Sequence, residues 1–388
     1  MTCSSEPGKG QGGEAGPIGG KPSPPVQPSR TKWLIPRLAL GLLSFLVALA
    51  LAELLLRLLV PQPATMVFEQ FTKAMRGRWR SGIKVIENDP ELFWRLVPRQ
   101  TLPEDAWPLR GVISNSQGLR EDHEIPLEKK PGELRVLFLG DSCTFGYGLL
   151  HHEGFVHRVE AKLQSAFPKA SLECINAGVP GYTLFQGVHF LESRGFRYQP
   201  DLIVLNFGWN DASQWEDGAG DLEHYGPWLV CHYAPQLRES RLYQLAWTAI
   251  DRWKNNGVSS RCRVLPAEFR SLLAQVEEDA RRHGAALLLL VWPAELNVAR
   301  NLPPNVQVRT DYQLELLNYG EHNLRFGPEK AEGLVNLIPI VEEMAKSQPT
   351  PDIFLDRTHA TSMANERFAD AIAKKLIPWV RAQLAGKP

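Results

Sequence analysis

The chain has 388 residues, room for one large domain or two small ones. With 44% hydrophobic and 22% charged residues its composition is that of an ordinary globular protein. Lys+Arg and Asp+Glu balance at 43 each, so charge gives no reason to expect a nucleic-acid partner, and the five cysteines show no CxxC or Cys/His spacing for a metal.

Residues 1–32 are rich in Gly, Pro, Ser and Lys and almost free of large apolar side chains, which predicts a disordered tail. Residues 33–60 are the predicted transmembrane helix. Its apolar part, Leu38–Val60, is roughly 34 Å long as a helix, enough to cross a bilayer core. Glu53 and Arg57 interrupt it four residues apart, on one helix face where they can pair, and Pro61 and Pro63 close it. Two other readings are a buried core helix, against which the all-round apolarity speaks, and a signal peptide cleaved near Ala48, Ala50 and Ala52. Arg30, Lys32 and Arg37 before the span are matched by Lys73, Arg76, Arg78 and Arg80 after it, so the positive-inside rule barely orients it. The expectation is a single-pass N-terminal anchor with the large domain extracytoplasmic.

Residues 61–130 read as a membrane-proximal connector. "ELFWRLVP" and "GVISNSQGLRE" predict short strands, the second with Asn115 and Gly118 as turn formers. The basic cluster Lys73–Lys84 reads equally as a patch for anionic headgroups and as a solvated helix face.

From residue 131 onwards apolar runs alternate with helical periodicity. The runs are "LRVLFLG", "SLECINAG", "DLIVLNFG", "ALLLLVWP" and "DIFLD"; helices are predicted near 153–166, 184–195, 266–283, 331–345 and 363–384. Near-continuous apolar strands separated by helices predict an α/β fold with a parallel sheet covered on both faces. In such folds ligands bind beyond the carboxyl ends of the strands.

Those ends carry chemistry. The first strand ends at Gly140-Asp141-Ser142, the second at "NAGVPGYT", the third at "GWND" and the last at "DRTHAT". A serine hydroxyl needs a base to become a nucleophile, and a histidine backed by an acid supplies one. Ser142, His359 and Asp356 are the candidates. The innocent readings are an N-cap serine and a surface histidine. Backbone N–H groups of Ser142 and Gly181 and the Asn210 amide are candidate donors to an oxyanion; separately they read as turn residues.

Together the four blocks resemble the SGNH hydrolases, or GDSL-type esterases and lipases, whose blocks contribute Ser, Gly, Asn and His in that order. "GDSCTFGYG" matches the first block with Ser142 as nucleophile. "NAGVPGYT" matches the second, with Gly181 rather than Gly178 as donor. "GWND" supplies Asn210, and "DRTHAT" supplies Asp356 and His359. Cys143 stands where the family name has leucine. The resemblance spans about Leu134 to the C-terminus and implies a flavodoxin-like three-layer α/β/α domain over residues 131–388. It also implies ester hydrolysis through an acyl-enzyme, with no metal or organic cofactor. Substrates in the family range from lipids to acetylated sugars, so lipase, esterase and carbohydrate deacetylase are all expected alternatives. Further alternatives are an O-acyltransferase on cell-envelope polysaccharide and a non-catalytic glycan- or protein-binding pseudoenzyme.

A long insertion at about 212–265 follows the third block and carries Trp215, Trp228, Trp247 and Trp253. Within it "RLYQLAWTAIDRWK", Arg241–Lys254, has an apolar stripe that reads as packing on its own domain, or as a surface for a partner helix or bilayer. Cys143 and Cys174 read as buried thiols. Cys231 and Cys262 bracket an irregular segment, and a disulfide between them is one option for an exported domain.

Overall fold

In a computed structural model of the chain, the described residues are 31–59, 85–215, 218–238, 240–254, 261–298, 307–328 and 330–386. The expected tail up to residue 30, and the connector up to residue 84 with its basic cluster, lie outside them, while Thr31 and Lys32, read as the end of the tail, begin a helix. The chain divides into two compact units, residues 1–56 and 57–388.

The first unit holds all but the last three residues of α1, Thr31–Leu59, which contains Pro36. Its apolar window Leu34–Leu59 is long enough to cross a membrane and none of it is buried, unlike a core helix. By length and composition it is a candidate membrane span or a signal sequence; neither property orients it.

The second unit is built on a five-stranded parallel sheet. Its strands are β1 (Leu134–Gly140), β2 (Leu172–Gly178), β3 (Leu202–Asn206), β4 (Ala286–Val291) and β5 (Leu334–Asn336). Their spatial order is 2-1-3-4-5, the flavodoxin-like order, with the chain reversing direction across the sheet between β1 and β3. The helices are α2 (Ser142–Phe145), α3 (Phe155–Ala166), α4 (Leu184–Ser193), α5 (Asp221–Tyr233), α6 (Pro235–Arg238), α7 (Arg241–Lys254), α8 (Pro266–Arg282), α9 (Gln307–His322), α10 (Ile338–Met344), α11 (Thr350–Ile353) and α12 (Ser362–Gly386).

Period-two alternation sorts the strands onto two faces. Leu137, Leu139, Ile203, Leu205 and Leu289 join one apolar layer with α4, α8 and α9. Val136, Phe138, Leu202, Val204 and Leu288 join the other with α3, α10 and α12. Both faces are therefore covered, which is why the strands read as unbroken apolar runs. Residues 85–125 pack into the first layer too. Trp94, fully buried, donates its indole N–H to Pro180 O at 3.0 Å, and the Tyr182 hydroxyl donates to Trp94 O at 2.6 Å.

Two elements differ from expectation. "DIFLD" is not a strand: its start forms the single turn α11, and Phe354 makes one isolated bridge to Ala360. The fifth strand is β5, inside the segment read as helix 331–345, of which α10 is the helical remainder. A three-residue edge strand is too short to show a period, and Pro339 in the first turn of α10 reads as a helix start. Helix α9 was not anticipated, because its apolar residues form no clear stripe.

Glu160, on α3, accepts the Cys174 N–H at 3.0 Å beneath β2. Burial pushes its carboxyl up to about 7, with the Cys174 N–H opposing and Glu173 and Glu121 adding to the rise. A carboxyl raised above its unfolded value stabilises fully in acid, and that contribution is lost as pH climbs through about 7. Glu160→Gln keeps an acceptor and removes the titration. We predict that it raises the thermal midpoint by a few degrees at pH 8.5 and leaves it unchanged at pH 4. Equal midpoints at both pH values would refute this.

Candidate active site

Strand β1 is buried along its whole length and stops at Gly140. A Cβ there would lie 2.1 Å from Thr144 Oγ1 and 2.7 Å from Asn206 O, so only glycine lets the strand turn this tightly into α2. Asp141 caps the turn, its Oδ1 accepting the Cys143 N–H at 2.8 Å. The Asn176 amide donates to Thr144 O and the Asn206 amide to Thr144 Oγ1, both at 3.0 Å. The ends of β2 and β3 thus hold the turn that presents Ser142. Because α2 is one turn long, the N-terminal helix field at Ser142 is small.

Ser142 Oγ lies 2.7 Å from His359 Nε2, and His359 Nδ1 lies 2.7 Å from Asp356 Oδ2. Asp356 Oδ1 accepts the N–H groups of Thr358 (3.0 Å) and His359 (2.9 Å), which shapes the D-x-x-H loop around the carboxylate. Burial raises the Asp356 pKa, but the hydrogen bond and charge of His359 outweigh it, with the two N–H donors, and hold it at about 2. The Tyr147 ring stacks on the imidazole at 4.3 Å between centroids. Ser142 is nearly buried, at 8% exposed, whereas the Asp356 side chain is 48% exposed.

The second block turns at Gly181, whose φ of +84° favours glycine. Among the described residues its N–H has no acceptor within the protein. Gly178 differs: its N–H donates to Asn176 Oδ1 at 3.0 Å, and a Cβ would sit 2.3 Å from Phe145 N. Gly178 is thus a close-approach glycine, and Gly181 is the better placed donor of the two.

Asn210, the third expected oxyanion donor, has its amide engaged within the protein. Its Nδ2 donates to Asp141 Oδ2 at 2.9 Å and to Tyr182 O at 3.1 Å, so both amide hydrogens turn inward. The cause is Asp141, which reaches across from the first block. Burial pushes its carboxyl up to about 6, against the Cys143 N–H and the charge of His359. Asp211, the last residue of "GWND", accepts the N–H groups of Leu184 and Gly208, each at 2.9 Å. Burial raises it to about 7.

The insertion supplies a residue that sequence reading missed. Arg263, 3% exposed, donates to Gly181 O at 2.7 Å and forks onto Asp221 through Nε (2.9 Å) and Nη2 (2.8 Å). Asp221 also accepts from the Thr183 hydroxyl and the Trp215 indole, both at 2.7 Å. The guanidinium lies over Trp215, 4.3 Å from the ring centroid. Backbone bonds Arg263 N→Ser213 O and Val264 N→Asp211 O close the base of the excursion. Trp228 is buried and donates to Asp89 O at 2.8 Å, whereas Trp253 is 79% exposed. On α7, Leu242, Tyr243 and Leu245 are half-buried and Ile250 is exposed. A cavity of about 410 Å³, with Phe185, Val188, Leu222, Val264 and Leu272 among its walls, lies beside Arg263. Cys143 and Cys174 are buried thiols; Cys262 is also a free thiol, and the Cys231 side chain lies outside the described residues.

Among the described residues no group of three His, Cys, Asp or Glu is placed to hold a metal ion. Residues 138–318 match the GDSL-like lipase/acylhydrolase family. The match includes Ser142, Gly181 and Asn210 and ends before Asp356 and His359. No curated protein matches the chain. Among solved structures it is similar to LAE5, an alpha/beta hydrolase enzyme from the metagenome of Lake Arreo, Spain, at 17% identity over 63% of this chain and 96% of that one, with a TM-score of 0.43. It is also similar to Axe2, an acetylxylan esterase from Geobacillus stearothermophilus, at 17% identity over 63% and 94%, with a TM-score of 0.41. A third, the acetyl xylan esterase AlAXEase, is 15% identical over 62% and 98%, with a TM-score of 0.42. At these values the three add nothing to what the strand order already says. The match over residues 138–318 supports a GDSL-like lipase/acylhydrolase domain of the SGNH type, an enzyme acting on ester bonds.

Proposed function

We propose that this hydrolase works through an acyl-enzyme, with Ser142 as nucleophile, His359 as base and Asp356 as the group that orients it. The observation that carries the reading is the pair of 2.7 Å contacts linking Ser142 Oγ, the imidazole and Asp356. His359 Nε2 takes the hydroxyl proton as Oγ bonds to the ester carbonyl carbon. The carbonyl oxygen becomes an oxyanion, received by the N–H groups of Ser142 and Gly181. Asn210 joins them by giving up its 3.1 Å bond to Tyr182 O while Asp141 keeps its hold on the amide. The imidazolium then protonates the leaving alcohol. A water, deprotonated by His359, attacks the acyl carbon, releases the acid and restores Ser142.

The substrates in this reading are esters of lipids, small alcohols or acetylated carbohydrates. If a sugar hydroxyl replaced water in the second half, the same site would transfer the acyl group to a polysaccharide. The match to a hydrolase family over residues 138–318 supports the catalytic reading over a non-catalytic one. The helix Leu34–Leu59 tethers the enzyme to a membrane, with the domain that follows it extracytoplasmic. The test is fluorophosphonate labelling of membranes from cells expressing the full chain, followed by peptide mapping. The expected result is a label on Ser142 in a band that resists alkaline washing. A label elsewhere, or none on folded protein, would overturn the acyl-enzyme reading; a labelled but soluble, shortened band would overturn the tether.

A further inference from the structure

Two guanidiniums flank this site with no ion-pair partner among the described residues. Arg309, in the first turn of α9, is half-buried and lies over Trp209, 3.9 Å from the ring centroid. Trp209 is the residue before Asn210. Arg357 is exposed and stands between Asp356 and His359 in the D-x-x-H loop. Asp141, Cys143, Thr358, Trp209 and Arg309 line one small hollow beside the relay, about 30 Å³, room for a water but not for a sugar. Arg309 therefore shares a wall with the residues on either side of Ser142 and with the neighbour of His359.

Among the described residues no carboxylate pairs with either guanidinium. Glu295 comes near through its backbone, donating its N–H to Arg357 O at 2.9 Å, yet among the described residues its carboxylate forms no ion pair. Residues 299–306, outside the described residues, contain no Asp or Glu. Burial lowers the Arg309 pKa, and the neighbouring Arg357 charge lowers it further. Arg309 and Arg357 carry like charge, and the half-buried Arg309 bears a cost from both its burial and the Arg357 charge in the free protein. A bound anion removes that cost, and Trp209 holds one guanidinium plane in place for it. Arginine forks match planar or tetrahedral oxyanions with paired hydrogen bonds.

We propose that Arg309 and Arg357 form a subsite for an oxyanion, a carboxylate or phosphate, carried by the ester substrate next to its reacting bond. This rests on the hydrolase reading above and narrows it to anionic esters. The hollow is too small to admit the group, so the anion sits over it, between the two arginines. Trp209 acts as the platform and Asn210, its neighbour, faces the reacting carbonyl.

The full chain in detergent, hydrolysing 4-nitrophenyl acetate, provides the test. Galacturonate and glycerol phosphate are compared as competitive inhibitors with neutral galactose and glycerol. At least one anion is expected to inhibit at tenfold or more lower concentration than its neutral partner, and the stronger of the two identifies carboxylate or phosphate as the group. The difference is expected to shrink in 0.5 M NaCl and to fall at least fivefold in Arg309→Gln and in Arg357→Gln, with Arg309→Lys retaining part of it. Equal inhibition by anions and neutral partners in the wild-type protein overturns the subsite, and so does a preference that survives in the double Gln variant. A wild-type protein that does not hydrolyse 4-nitrophenyl acetate overturns the hydrolase reading instead.

Discussion

Alanine at Ser142 is expected to lower kcat for acetyl-ester hydrolysis by about 10⁴-fold or more. The magnitude follows from what the substitution removes. Without Oγ there is no acyl-enzyme, and His359 has no hydroxyl 2.7 Å away to deprotonate. What survives is substrate positioning and the oxyanion donors, which in comparable relays leave a residual acceleration of about 10³-fold over water. His359→Ala is expected to cost about as much, and Ser142→Ala/His359→Ala no more than either alone, because the two groups act as a unit. Asp356→Asn is expected to cost less. Its side chain is 48% exposed, so water can take over part of its bond to Nδ1. Kinetics on one purified series decides the matter. Losses that multiply in the double variant would mean that Ser142 and His359 serve separate steps, and the relay would have to be abandoned.

The relay was legible because each of its parts ends a strand or turns a loop with local chemistry. Gly140 and Gly178 announce close backbone approach, and Asp356 and His359 are three residues apart, so one loop presents both. The parallel sheet was legible because β1 to β4 are buried on both faces. The misses have a common physical cause: the signal lay in tertiary contact. β5 is three residues of edge strand whose pairing with β4, not its pattern, makes it a strand. The Asn210 amide reads as an oxyanion donor in "GWND", and its bonds to Asp141 and to Tyr182 O are made across other strand ends. Residues 85–125 have the composition of a connector, yet Phe93, Trp94 and Ile113 are fully buried. Arg263 sits in "RCRVLP" at the end of the insertion, with nothing around it to indicate that its guanidinium reaches Gly181.

That contact gives the second large expected effect. Arg263→Met should destabilise the domain by about 3–5 kcal/mol, because Asp221, fully buried, loses its bidentate partner. It should also lower kcat. The Arg263 bond to Gly181 O fixes the peptide plane that follows Gly181, and so restricts rotation about the residue whose N–H, in the preceding plane, is a proposed oxyanion donor. A donor that drifts off the oxyanion costs up to about 10²-fold in kcat with little change in KM, since the ground-state carbonyl makes weaker use of it. Stability and positioning can be separated by removing both charges. Arg263→Met/Asp221→Leu leaves no buried unpaired ion, so much of the thermal midpoint should return. The Gly181 carbonyl still lacks its donor, so kcat should stay low. If kcat recovers together with the midpoint, Arg263 only stabilises the insertion. If kcat stays depressed at a restored midpoint, the insertion holds the second block in catalytic register through this one side chain.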